Sequence, residues 1–290
     1  KEVSGNGITS TPGSKVATGR SAPSPLPLFP EEGGGIQGDL FANFTPNEPN
    51  EAKKSNLETL GSQPHNYQLI DTENKRREII QKLLTSKILS LDTETTGTEP
   101  MDAELVGMSF SITENEAFYV PVPSDRDEAL KIVKEFRTVF ENENSLKVGQ
   151  NIKYDMIVLQ NYGAVVKGPL FDTMIAHYVL QPELRHGMDY LAEIYLHYQT
   201  IHIDELIGPK GKNQKNMRDL DPKDVYLYAC EDADITLKLK NVLEKELKEN
   251  DAERLFYDIE MPLVPVLVNI ERNGVLPVSY THLTLPTKRI

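Results

Sequence analysis

Short apolar runs come first along this chain and helical periodicity takes over after them. That order restricts the fold to an α/β class with a mixed sheet flanked by helices. Ile88 to Asp92 (ILSLD) reads as a buried strand. Leu105 to Ile112 and Ala117 to Val122 read as two more, joined by a turn at 113–116. A fourth strand ends at Lys147 to Gly149. Between them, Asn74 to Leu84 and Asp125 to Phe140 carry apolar residues at helical spacing. Ile152 to Tyr162 is a helix closed by Gly163. Helices are then predicted at Thr173 to Leu180, Met188 to Tyr198 and Pro222 to about Lys248, the first two N-capped by Asp172 and Asp189. A last helix runs from about Ala252 to Arg272, interrupted by Pro262 and Pro265.

Before Tyr67 there is neither a period of 2 nor of 3.6. Residues 1–66 hold 9 of the 18 glycines and 8 of the 19 prolines, which leaves too little apolar surface to offset the entropy of ordering. They are expected to form a disordered linker. The last stretch, 277–290 (PVSYTHLTLPTKRI), has neither period nor caps and reads as a non-native tail.

Charge and cysteine content narrow the function. With 44 acidic and 31 basic side chains the net charge is −13, which argues against coating nucleic acid through bulk positive charge. A site that meets nucleic acid through metal ions remains open. The single cysteine, Cys230, excludes an intramolecular disulfide framework and fits a reducing cytoplasm. No apolar run approaches the ~18 residues of a membrane span, and no leader opens the chain. The six histidines show no zinc-ligand spacing.

Three segments carry the chemistry. In LSLDTETTG, Asp92 and Glu94 end an apolar strand two residues apart, so both carboxylates share one side. In VGQNIKYDMIVL, Asn151 and Asp155 are four apart at a helix start, on one face. In YLYACEDADITL, Tyr228 and Asp232 are again four apart. Each pair has an ordinary reading by itself: a strand-end acid pair, a cap with a solvated face, a packed tyrosine beside an exposed acid. Together they supply oxygen-only ligands for hard cations such as Mg²⁺ or Mn²⁺. Carboxylates gathered this way repel unless cations neutralise them. Two such ions about 4 Å apart can clamp both oxygens of an in-line phosphoryl displacement.

DTET, GQNIKYD and YACEDAD, in this order, resemble the three motifs of the DEDD exonuclease superfamily, tyrosine subtype. More narrowly they resemble the 3′–5′ proofreading exonuclease domain of bacterial DNA polymerase I. The likeness extends through FDTMIAHYVLQP and RHGMDYLAEIYL, over about Tyr67 to Leu276. It implies a ribonuclease-H-like fold, with 67–250 as the exonuclease domain and 251–276 as the first helix of a truncated polymerase domain.

By that resemblance Asp92, Glu94, Asp155 and Asp232 would hold two divalent cations, Mg²⁺ or Mn²⁺. Tyr228 and Glu94 would orient the attacking water. Thr93, Gln150, Asn151 and Arg185 are expected at the bound strand; for Arg185, pairing with an acid is equally open. The implied partners are a DNA 3′ end, single-stranded or frayed, and a polymerase domain in cis. A monomer without membrane contact, in the bacterial cytoplasm, is expected. An RNA-trimming relative of ribonuclease D and an inert bracing domain are the alternatives.

Two positions depart from the family. Thr98 stands where a leucine often wedges against terminal bases, and Ile203 where a phenylalanine stacks on them. Stacking on an aromatic is worth about 1–3 kcal/mol per base. Lys210, Lys212, Lys215 and Arg218 either steer the strand or form a solvated loop. Cys230 is expected to pack, and Glu231 and Asp234 to be structural or solvated.

Overall fold

A computed structural model describes residues 57–209, 211 and 214–274. Most of the expected linker, the tail at 277–290, Lys210 and Lys212 lie outside the described residues. The elements run β1 (Asn66–Leu69), α1 (Glu73–Thr85), β2 (Ile88–Thr95), β3 (Leu105–Thr113), β4 (Glu116–Pro121), α2 (Arg126–Glu135), α3 (Arg137–Phe140), β5 (Leu146–Gly149) and α4 (Ile152–Asn161). They continue with β6 (Leu170–Asp172), α5 (Thr173–Leu180), α6 (Met188–Leu191), α7 (Ile203–Ile207), α8 (Pro222–Glu249), α9 (Glu253–Leu255) and α10 (Met261–Asn273). The strands form one sheet in the order β1-β4-β3-β2-β5-β6. Pairs β2–β3 and β3–β4 are antiparallel, whereas β1–β4, β2–β5 and β5–β6 are parallel. The sheet is mixed, as the order of apolar runs requires.

The two faces of the sheet differ in side-chain size, and this difference builds the site. Leu89, Leu91, Met108, Phe110, Phe118 and Val120 point into the main core, shared with buried residues of α1 to α4. Phe110 stacks on Phe136 at 5.4 Å. The other face is smaller and more polar, Tyr119 excepted. Register aligns Asp92 with Ser109 and then Tyr119, and Glu94 with Gly107. The long α8 crosses this face, touching β1 through β5. It presents Ala229, Cys230 and Ala233, all fully buried. Small residues on both surfaces let helix and sheet approach closely. Further along, Ile235, Leu239, Leu243 and Leu247 of α8 join the main core.

Several boundaries differ from the periodicity. The stretch from Asp125 to Phe140 breaks at Phe136 into α2 and α3, where the Phe136 ring is fully buried. Met188 to Tyr198 holds one α-turn, a π-turn at Ala192–Leu196, and a left-handed His197. Asp189 does not cap this segment. Gly187 holds the N-cap position, and Asp189 accepts from Thr200 Oγ1 at 2.8 Å instead. Strands β1 and β6 and helix α7 are too short to carry a readable period. Regular contacts also begin before Tyr67: Glu58 N donates to His197 O at 2.9 Å, and Gln199 N to Glu58 O at 2.8 Å. Backbone bonds to residues distant in sequence hold this segment where local sequence cannot. Among the described residues, no helix is long and apolar enough to cross a membrane.

Candidate active site

The end of β2 and the middle of α8 bring three acids together. Asp92, Glu94 and Asp232 each offer an oxygen, and these oxygens all lie within 4.8 Å of one another. Glu94 and Asp232 are buried, Asp92 partly so. Gly107 makes room at the sheet. A Cβ there would stand 2.3 Å from the Tyr119 ring, which leans across it on the carboxylate face.

All four candidate acids are harder to ionise than free carboxyls. Burial raises Asp92 to about 6, against the opposing pull of the Thr93 N–H. Burial and then the Asp92 charge raise Glu94 well above its ordinary value. Burial raises Asp232 strongly as well, followed by Asp92, Glu94 and Glu231. Glu94 Oε1 is buried without a hydrogen-bond partner. A buried acceptor without a donor, inside an all-oxygen cluster of like charges, fits a hard divalent cation.

Asp155 stands apart from the three. Its Oδ1 accepts from Thr93 N at 2.9 Å and from Thr93 Oγ1 at 2.6 Å. Burial and the Asp92 charge still raise it, so it is close enough to sense the cluster. Tyr228, one turn before Asp232, is partly buried beside it. Burial first, then the charges of Asp232, Glu94 and Asp92, keep its phenol protonated well beyond the usual range.

The start of α4 is pinned from a distance. Asn151 is left-handed, with φ 61°. The N–H groups of Asn151 and Ile152 donate to Asp172 at 3.2 and 2.8 Å. Asp172 also caps α5 through Ile175 N, so one carboxylate sets two helix starts. Gly149 is required just before this turn, since a Cβ there would lie 2.8 Å from Ile152.

The remaining expected residues divide. Thr93 spends its hydroxyl on Asp155. Gln150 donates Nε2 to His186 O at 2.7 Å and accepts from Thr173 Oγ1, so both ends of its amide face protein. Asn151 is partly buried and makes no capping bond with its side chain. Arg185 is exposed and has no ion pair among the described residues. Arg218 is not part of a solvated loop. Its guanidinium is tied to Val122 O and Leu105 O, both at 2.5 Å. Lys215 is exposed. Glu231 and Asp234 are buried structural acids, bonded by Tyr198 and by Tyr67 respectively. Cys230 packs, as expected. Thr98 and Ile203 are both exposed. Two contributors escaped the sequence reading. Asp172 shows there only as a cap for α5, and Tyr119 shows only as an apolar strand position.

A family model described as 3′-5′ exonuclease matches residues 67–248. The chain is 32% identical over 231 residues to DNA polymerase I of Borreliella burgdorferi, covering 79% of this chain and 25% of that protein. It is 41% identical over 210 residues to DNA polymerase I of Pseudomonas aeruginosa, covering 68% and 23%. The chain therefore spans about a quarter of the length of these relatives. Among solved structures it is similar to Brucella melitensis NrnC with bound Mg²⁺ (TM-score 0.56, 17% identity, 78% of this chain and 100% of that one). It is also similar to Escherichia coli RNase D, an exoribonuclease involved in structured RNA processing (TM-score 0.57, 18% identity, 73% and 52%).

Proposed function

The chain belongs to the 3′-5′ exonuclease family of DNA polymerase I, with a ribonuclease-H-like fold, and from that premise we propose that it removes nucleotides from DNA 3′ ends. The observation that carries this reading is the meeting of Asp92, Glu94 and Asp232, with Glu94 Oε1 buried and unpartnered. Enzymes of this family are nucleases that depend on divalent metal. We assign two ions, Mg²⁺ or Mn²⁺, to Asp92, Glu94 and Asp232, with Asp155 assisting. When bound, they supply charge neutralisation at the scissile phosphate and make water a better nucleophile.

The chain's own residues do the rest. Glu94 and Tyr228 orient the attacking water by hydrogen bonds. Thr93 holds Asp155 in place through two bonds. Asn151 and Arg185 meet the strand, and Gln150 acts from behind by bracing the backbone at His186. The product is a nucleoside 5′-monophosphate, formed without a covalent protein intermediate.

On the same reading 67–250 is the exonuclease domain, 251–276 begins a polymerase domain acting in cis, 277–290 is a non-native tail, and 1–66 is a linker whose last residues, from Glu58, join the domain. The parent is a monomer that proofreads during replication and repair in the bacterial cytoplasm. The test is nucleotide release from 3′-labelled single-stranded DNA with Mg²⁺ or Mn²⁺, beside Asp92→Ala and Asp232→Ala. Monophosphate release that needs metal and is lost in both variants is expected. Preferential cleavage of an RNA strand would overturn the DNA assignment in favour of an RNA-trimming enzyme. No release from folded protein would favour an inert brace.

A further inference from the structure

His177 of α5 is fully buried, and its Nδ1 lies 2.7 Å from Nδ1 of His186. At that distance one ring donates an N–H and the other accepts. Burial holds His177 down at about 4, so its ring is neutral near pH 7 and the contact is an ordinary N–H···N bond. Tyr195 and Tyr190 enclose the ring edge-on, at 5.6 and 6.4 Å.

His186 lies on the connection between α5 and α6, next to Arg185. Of residues 181–187 it is the one that is not exposed. Its ring is held by His177, and its carbonyl accepts from Gln150 Nε2 at 2.7 Å. Gln150 in turn directly precedes Asn151 at the start of α4. Two inward bonds at one residue therefore tie an otherwise exposed turn to α5 and to the residue just before the acid-bearing α4.

We propose that His177 is a positioning residue: through His186 it holds the turn that carries Arg185, and so sets where the guanidinium meets the phosphates of the bound strand. This rests on the exonuclease reading and on Arg185 as a phosphate contact. A turn released from His177 spreads the guanidinium over many positions, and the cost of ordering it falls on binding. The effect belongs in KM, because Arg185 lies outside the acid cluster.

The experiment is steady-state nucleotide release from 3′-labelled single-stranded DNA in Mn²⁺, with melting temperature followed in parallel. His177→Phe keeps a ring and removes Nδ1. It is expected to raise KM about five- to tenfold with kcat within twofold, and His177→Asn, whose amide can replace Nδ1, to recover part of the loss. In an Arg185→Ala background, His177→Phe is expected to change KM less than twofold. A fall in kcat at unchanged KM would overturn the proposal, as would an equal KM effect with and without Arg185. Should His177→Phe not fold, His186→Phe breaks the same bond at a half-buried site and is read by the same criteria. If the parent chain releases no nucleotide, the exonuclease reading fails separately. The clamp is then read by amide exchange at residues 184–187: faster exchange in His177→Phe supports it and unchanged exchange refutes it.

Discussion

Asp232→Asn separates what the acid cluster costs the fold from what it gives the chemistry. The oxygens of Asp92, Glu94 and Asp232 lie within 4.8 Å of one another. At that separation and an effective dielectric of 20, two unit charges repel by about 3.5 kcal/mol. Asp232 has two such neighbours. Proton uptake limits the cost. A carboxyl raised from 3.8 to about 6, as Asp92 is, gives up about 3 kcal/mol by pH 7. The sign follows from the direction. These carboxyls bind protons more tightly folded than unfolded, so their favourable contribution is complete below pH ~4. It is lost as pH rises through the folded values. In EDTA the native protein should therefore weaken between about pH 4 and 7 as Asp92 ionises, and further as the more strongly raised Glu94 and Asp232 follow at higher pH. Replacing Asp232 by its neutral isostere should return about 2–4 kcal/mol at pH 7.5, a rise of roughly 5–10 °C in Tm for a domain of this size. Mn²⁺ should raise the Tm of the wild type and leave that of the variant nearly unchanged, while nucleotide release is lost. Calorimetry at pH 5.0 and 7.5, with EDTA or Mn²⁺, reads all of these. A lower Tm for the variant in EDTA, or equal Mn²⁺ shifts in both proteins, would refute the reasoning.

Three further predictions test the surroundings of the site. Gly107→Ala places a Cβ 2.3 Å from the Tyr119 ring; it should cost about 1–3 kcal/mol in urea denaturation and lower nucleotide release by moving the ring against Glu94. Lys147→Met removes the buried ammonium that donates to Asn142 O, Ser145 O and Lys167 O at 2.5, 3.1 and 2.8 Å. With those carbonyls deprived of this donor, it should cost about 2–4 kcal/mol in denaturant melts, with the rate per folded molecule unchanged. His177 is depressed from 6.5 to about 4 on folding, so its share of stability is present above pH 6.5 and lost as pH falls toward 4, by about 3 kcal/mol at most. Urea melts at pH 7 and 4.5 should show a smaller acid loss in His177→Phe than in the wild type; an identical loss would remove His177 from the account.

Local periodicity decided much of this protein. A period of 2 at the end of ILSLD places Asp92 and Glu94 on one side of β2. A spacing of four stacks Tyr228 over Asp232 on α8, and the alternation of runs dictates a mixed sheet. These are properties of one element at a time, set by backbone geometry, so the sequence carries them openly. Distances between elements are another matter. Asp232 reaches the strand acids because α8 packs across β2, β3 and β4 with Ala229, Cys230 and Ala233 fully buried, and nothing in the sequence marks these residues as a contact surface. Competition for hydrogen bonds is equally silent. Thr93 and Gln150 read as groups for a ligand, yet Asp155, Thr173 and His186 claim them. Arg218 reads as a free cation and is bound to two strand-end carbonyls. Asp172 reads as a cap for one helix and serves two. Facing within an element follows from bond geometry over a few residues, whereas the partner each polar group takes depends on what the closed fold brings within 3 Å. Only the tertiary structure could decide that, because burial drives most donors and acceptors to find partners among residues far away in the chain.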